Sequence, residues 1–180
     1  NDVPLVELVN LLQLLGWYEI NDHWQHKDLG RRIIFLGDFI DRGPQNRKVL
    51  SLLRKLKKLN LAHIILGNHE LNAIYFHSQH PKTGRPLRKH SSENIEQHQS
   101  FLNEFPLQRP ETEDVINWFC SLPLFLDFDS FRVVHACWAT SAINILRQIN
   151  KLPEALLCRD ASKKKSQISE VEKRGDASPD

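Results

Sequence analysis

No methionine occurs anywhere in the 180 residues, and the chain opens on Asn1. Its other end runs from Ser162-Lys163-Lys164-Lys165-Ser166 to Gly175-Asp176-Ala177-Ser178-Pro179-Asp180. That stretch is polar and poor in core-forming side chains. We therefore expect a fragment, a processed chain or a truncated gene product, with one domain over 1–161 and a polar tail or truncated remainder over 162–180. Cysteine is scarce as well. Cys120, Cys137 and Cys158 are odd in number, widely spaced and without a CxxC pattern, which argues against a disulfide framework or a zinc knuckle. Three reduced thiols in a cytoplasmic protein are expected. No apolar run approaches the length of a membrane span, and no basic stretch followed by an apolar core opens the chain. The net charge of +2 argues neither for nor against nucleic acid or membrane, and neither is expected as a partner.

Against these absences stand three short apolar runs, each tipped by a side chain that can bind a hard or borderline metal ion. Arg31 to Leu36 leads into Gly37-Asp38-Phe39-Ile40-Asp41-Arg42-Gly43. His63 to Leu66 leads into Gly67-Asn68-His69-Glu70, and Phe131 to Val134 leads into His135. Short β-branched runs flanked by helical patterns predict buried strands of an α/β sheet. Ligands of such sheets bind beyond the carboxyl ends of the strands. Asp38, Asn68 and His135 should therefore converge, the outline of a metal-dependent hydrolase.

The remaining pattern is consistent with this layout. Leu5, Leu8, Val9, Leu12 and Leu15 make a helical stripe that Gly16 ends, with Asp2 as a possible cap and Pro4 in the first turn. Trp17 to Trp24, around Asn21-Asp22, reads as a small hairpin or irregular excursion. A strand over 32–36, a helix after Pro44 and a strand over 62–66 form a β-α-β unit, hence a parallel pair with a right-handed crossover. In that helix Val49, Leu50, Leu53, Leu56 and Leu59 face inward, and Arg54, Lys55, Lys57 and Lys58 face outward. Helices are expected over 70–77, 92–104, 111–121, 140–149 and 153–161, and a long loop over 78–90. Two strands over 122–128 and 130–135 are joined by a turn at 127–129. His77, His80, His90 and His98, with Arg85, Arg88 and Lys89, read as a solvated basic surface; a substrate-recognition cap is the second reading.

Each candidate site residue has a chemical rationale. A carboxylate such as Asp38 can place one oxygen on each of two cations about 3.5–4 Å apart. The Asn68 amide oxygen is a neutral ligand. His69 follows Asn68 directly, so it points elsewhere and is better placed to protonate a leaving group. Asp41 can orient that imidazole and keep it charged. Arg42 offers paired donors suited to phosphate, and His135 adds a further ligand at the third strand end.

In this order, the Gly37–Gly43 segment, Gly67-Asn68-His69-Glu70 and Val133-Val134-His135-Ala136 resemble the calcineurin-like metallophosphoesterases. The likeness is greatest to their phosphoprotein-phosphatase branch. His23-Trp24-Gln25-His26, Gln97 to Leu102 and Val134-His135-Ala136-Cys137-Trp138 are similar to a bacterial subgroup described as metallophosphoesterases. The resemblance spans roughly residues 5–160.

It implies an α/β fold, the four-layer αββα sandwich, incomplete as written, with a dinuclear site. Asp38 would bridge two divalent ions, and Asn68 and His135 would bind the second. His69 would be the general acid, assisted by Asp41, while Arg42 would hold the phosphate and a metal-bridging hydroxide would attack phosphorus. Oxygen and imidazole ligands suit manganese, with iron or zinc as alternatives. The expected substrate is phosphorylated, either a phosphoprotein or a nucleotide such as a dinucleoside polyphosphate. Oligomeric state is open. The resemblance also implies an Asp-x-His-Gly loop ahead of the first helix and further His ligands beyond His135. Asp2 has no His two residues on, and no histidine follows His135. A second hypothesis is therefore a degenerate, non-catalytic relative acting as a phosphate-binding or scaffold module.

Overall fold

The computed structural model of the protein describes residues 5–149. Asp2 and Pro4 as cap and first turn, the helix expected over 153–161 and the polar stretch over 162–180 lie outside the described residues. Within them the chain folds as a mixed α/β structure.

Helix α1 (Leu5–Leu14) stops where Gly16 takes a φ of 86°, a left-handed conformation that favours glycine. Strands β1 (Trp17–Ile20) and β2 (His23–His26) then pair antiparallel, with Ile20 opposite His23. Asn21 and Asp22 turn the hairpin at φ of 49° and 64°, the paired positive values that a two-residue turn needs and that Asn and Asp tolerate. Trp17, Trp24 and His26 are buried against the core.

Strand β3 (Ile33–Phe35), helix α2 (Asn46–Lys58) and strand β4 (Ala62–Ile64) form the expected β-α-β unit. The strands are parallel, with Ile34 opposite His63, and shorter than the apolar runs suggest. On α2, Leu50, Leu53 and Leu56 enter the core with Ile64, Ala73, Ile74, Phe101 and Phe119. Full burial of such a leucine is worth about 2 kcal/mol. Leu59 does not share their fate: it lies beyond the last turn and is 40 % exposed.

Helix α3 (Asn68–His77) begins two residues earlier than the periodicity predicts. Helices α4 (Ser92–Glu104) and α5 (Pro110–Cys120) follow. Pro110 occupies the first turn of α5, where a missing N–H costs nothing. Strands β5 (Phe125–Asp127) and β6 (Arg132–Val134) pair antiparallel, and their turn is closed by Phe128 N–H donating to Phe131 O at 2.9 Å. Leu66 N–H donates to Pro123 O at 2.9 Å, which ties the end of β4 to the approach to β5. Helix α6 (Thr140–Ile149) follows as expected. Cys120 is buried and Cys137 exposed. No helix among the described residues is long and apolar enough to cross a membrane.

The amino end of α2 has an unusual cap. Gln45, at φ of 80°, supplies no side-chain hydrogen bond. Glu104, at the far end of α4, accepts instead from Asn46 N–H at 2.7 Å and Arg47 N–H at 2.9 Å. A carboxylate at this position satisfies orphan donors and meets the positive end of the helix dipole. It also clamps α4 against the loop that carries the first motif.

Candidate active site

The loops after β3 and β4 touch each other closely. A Cβ on Gly37 (φ 87°) would lie 2.2 Å from Gly67 N, and one on Gly67 would lie 2.3 Å from Asp38 Oδ1. Only bare backbone permits that approach. Glu70 binds the two loops together. Its Oε2 accepts from Asp38 N–H at 2.8 Å and Gly67 N–H at 2.9 Å, and its Oε1 accepts from Phe39 N–H at 2.9 Å. The side chain is fully buried. Burial pushes its carboxyl upward, against the three amides, which favour the carboxylate.

Against this frame the structure brings Asp38, Asn68 and His135 together. His135 Nε2 is 3.0 Å from Asn68 Oδ1 and 3.4 Å from Asp38 Oδ2. Its other nitrogen, Nδ1, lies 2.5 Å from Leu36 O. With Nδ1–H donated to that carbonyl, Nε2 turns a lone pair toward two oxygen acceptors. Three electron-pair donors thus face one another, an arrangement that a cation reconciles. The Nδ1–H contact is the outer support that orients metal-binding histidines. The set fits one hard or borderline divalent ion, and Asp38 Oδ1 lies on the far side, accepting from His69 N–H at 3.1 Å. Among the described residues no three His, Cys, Asp or Glu side chains gather around one point; the convergent donors are a carboxylate, an imidazole and a carboxamide.

His69 and Asp41 form a separate pair, with Nδ1 of the histidine 2.9 Å from Asp41 Oδ2. Asp41 sits at φ of 72°, and its N–H donates to Asn46 Oδ1 at 3.1 Å. Its carboxylate is only 4 % exposed. Burial pushes the Asp41 carboxyl up, but hydrogen bonds and attraction from His69 and His98 outweigh it and hold it below the usual range. The hydrogen bond to Asp41 in turn raises His69 above its ordinary value, against the effect of burial, with Asp38 adding to the rise. Arg42 is exposed and makes no hydrogen bond or ion pair among the described residues. His69, Asp41 and Arg42 line a recess of about 470 Å³ together with Asn68, Asn72, Glu96 and Gln97.

Residues 8–163 match the family model for the calcineurin-like phosphoesterases. The chain belongs to that family. Calcineurin-like phosphoesterases use a dinuclear divalent metal centre. Several curated relatives are similar to this calcineurin-like chain. An asymmetrical bis(5'-nucleosyl)-tetraphosphatase PrpE from Oceanobacillus iheyensis is 34% identical over 132 residues, 73% of this chain and 50% of that protein. Its counterpart from Halalkalibacterium halodurans is 31% identical over 137 residues, 72% of this chain and 51% of that protein. A symmetrical bis(5'-nucleosyl)-tetraphosphatase from a Janthinobacterium species is 30% identical over 107 residues, 58% of this chain and 32% of that protein. The chain spans about half the length, or less, of these relatives.

Motif reading missed the supports of this calcineurin-like site. In the sequence Glu70 is only the last residue of Gly67-Asn68-His69-Glu70 and the start of the helix expected over 70–77. Asn46 and Glu104 carried no signal. His98 was grouped with a solvated surface, yet it is 0 % exposed, and His77 beside it is half-buried. A signal did exist: His98 and Phe101 follow helical spacing on one face of α4, Phe105 continues it just past the helix end, and all three are buried.

Proposed function

We propose that the chain forms much of the catalytic face of a phosphoric ester or anhydride hydrolase whose substrate is a dinucleoside polyphosphate. The observation that carries this reading is the placement of two chemically different groups on adjoining loops. A cluster of neutral and anionic donors, Asp38, Asn68 and His135, lies beside an acid–base pair, His69–Asp41. Bis(5'-nucleosyl) tetraphosphates are what the similar proteins are named for, and they favour a nucleotide over a phosphoprotein substrate.

Asp38, Asn68 and His135 would hold the metal, manganese in preference to iron or zinc, and ions bound there would polarise the phosphoryl oxygens. The chain's own residues account for the rest. His69 directs Nδ1–H at Asp41, which leaves Nε2 to carry a proton toward the departing oxygen. Ionised Asp41 keeps that imidazole in one tautomer and favours its charged form. Such a general acid contributes about 10²–10⁴-fold. Arg42, which makes no hydrogen bond or ion pair among the described residues, can grip two phosphate oxygens at once. The recess lined by Asn72, Glu96 and Gln97 gives the leaving group its place.

The test is hydrolysis of a bis(5'-adenosyl) tetraphosphate by the gene product that contains this chain, with manganese, followed by chromatography of the nucleotides. Formation of ATP and AMP, or of two ADP, supports the reading and sets the cleavage position. Phosphate binding without turnover would favour the non-catalytic alternative.

A further inference from the structure

His98 is buried among rings. Phe101 stacks on it at 4.9 Å and 18°, while Phe76 and His77 close in at 5.1 Å and 5.3 Å between ring centres. An apolar ring would fill this space as well, and a buried imidazole is costly unless its nitrogens are used. Both are used. Nδ1 lies 2.7 Å from Asp41 Oδ1, and Nε2 lies 3.1 Å from His77 Nε2. The Asp41 carboxylate therefore receives one imidazole on each oxygen: His69, facing the recess, and His98, facing the core.

We infer that His98 is a positioning residue for the reaction, locking the Asp41 carboxylate in the orientation that holds His69 ready to donate its proton. The inference rests on the reading of His69 as the general acid. With His69 alone on Oδ2, the Asp41 carboxylate could still turn about its side-chain bonds. A hydrogen bond on Oδ1 from a caged ring removes that freedom. His77 completes the chain. Burial, with the neighbouring His98 and His90, lowers His77 to about 4, so it is neutral near pH 7. Asp41 Oδ1 can only accept, so Nδ1 of His98 carries the hydrogen directed at it, and one Nε2–H is shared between His77 and His98. The four side chains His77, His98, Asp41 and His69 thus form one hydrogen-bonded line from beneath α3 to the recess.

Two substitutions separate positioning from packing. His98→Phe keeps the aromatic cage and removes both hydrogen bonds. His98→Asn shortens the ring but keeps a donor near the position of Nδ1. In this chain, the nitrogen-15 and proton spectrum of the His69 side chain should show a single tautomer, protonated at Nδ1, in the wild type. His98→Phe should turn it into a mixture, and His98→Asn should retain the wild-type pattern. In the gene product that contains the chain, His98→Phe should lower kcat about 10- to 100-fold with KM changed less than 3-fold, and His98→Asn should recover most of kcat. An unaltered His69 tautomer in His98→Phe would overturn the inference, as would equal losses in the two variants. The spectra need no turnover. If hydrolysis is absent altogether, the functional reading fails, while the spectra still decide whether His98 holds Asp41 and His69 in place.

Discussion

Replacing Glu70 by Gln changes one atom and should destabilise the protein sharply. The carboxylate serves three buried amides: Asp38 and Gly67 on Oε2, and Phe39 on Oε1. A carboxamide has one oxygen. If that oxygen keeps the Asp38 and Gly67 pair, its NH₂ group faces the Phe39 N–H, donor against donor. The opposite orientation orphans two amides instead. An unsatisfied buried donor costs about 1–3 kcal/mol, and bonds to a charged acceptor are worth more than neutral ones. The better orientation therefore loses about 2–3 kcal/mol. Glu70→Ala, which abandons all three amides and opens a cavity, should lose about 4 kcal/mol or more. For a domain of this size Glu70→Gln then lowers Tm by about 5–10 °C. Urea unfolding followed by tryptophan fluorescence measures the difference, Trp17 and Trp24 being buried reporters. A loss below about 0.5 kcal/mol for Glu70→Gln would refute the role assigned to this carboxylate.

Further expectations concern the loops and the buried histidines. Gly37→Ala places a methyl 2.2 Å from Gly67 N at a φ of 87°, so it should cost about 2–3 kcal/mol and separate Asp38 from Asn68; unfolding midpoints within error of wild type would count against the close approach. His77 offers a pH test. The unfolded chain binds a proton near 6.5, whereas the folded His77 resists protonation until about 4, so its contribution is intact above 6.5 and is lost as pH falls toward 4. That loss is at most about 3 kcal/mol, and His77→Asn should flatten the pH dependence of unfolding in this window; parallel curves would contradict it. Asn46→Ala removes the acceptor of Asp41 N–H and the donor to the Gly43 and Ser100 carbonyls, and should lower stability by about 2 kcal/mol in the same unfolding assay.

The parts of the molecule legible in the sequence are those set by neighbours along the chain. The hairpin follows from Asn21-Asp22, the inward face of α2 from its leucine spacing, and the site from side chains placed just beyond strand ends. Asp38, Asn68 and His135 meet because β3, β4 and β6 deliver their loops to one side. What was not legible depends on long-range contact. His98 reaches Asp41 across 57 residues, and Glu104 caps α2 across 58. No local pattern marks either residue as part of the site, although the helical stripe shared with Phe101 did mark His98 as buried. The earlier start of α3 has a similar cause: Glu70 returns to the Gly67 amide and draws Asn68 and His69 into the first turn. Strands β3 and β4 end at Phe35 and Ile64, just ahead of the close approach of Gly37 to Gly67.

The central claim, that His69 protonates the leaving group under the control of Asp41, is tested by varying the leaving group. In the gene product that contains this chain, His69→Asn should cut kcat for a dinucleoside tetraphosphate or an alkyl phosphate by about 10²–10³-fold. For p-nitrophenyl phosphate, whose phenolate departs without a proton, the same substitution should cost less than about 10-fold. Equal losses on the poor and the good leaving group would contradict the account.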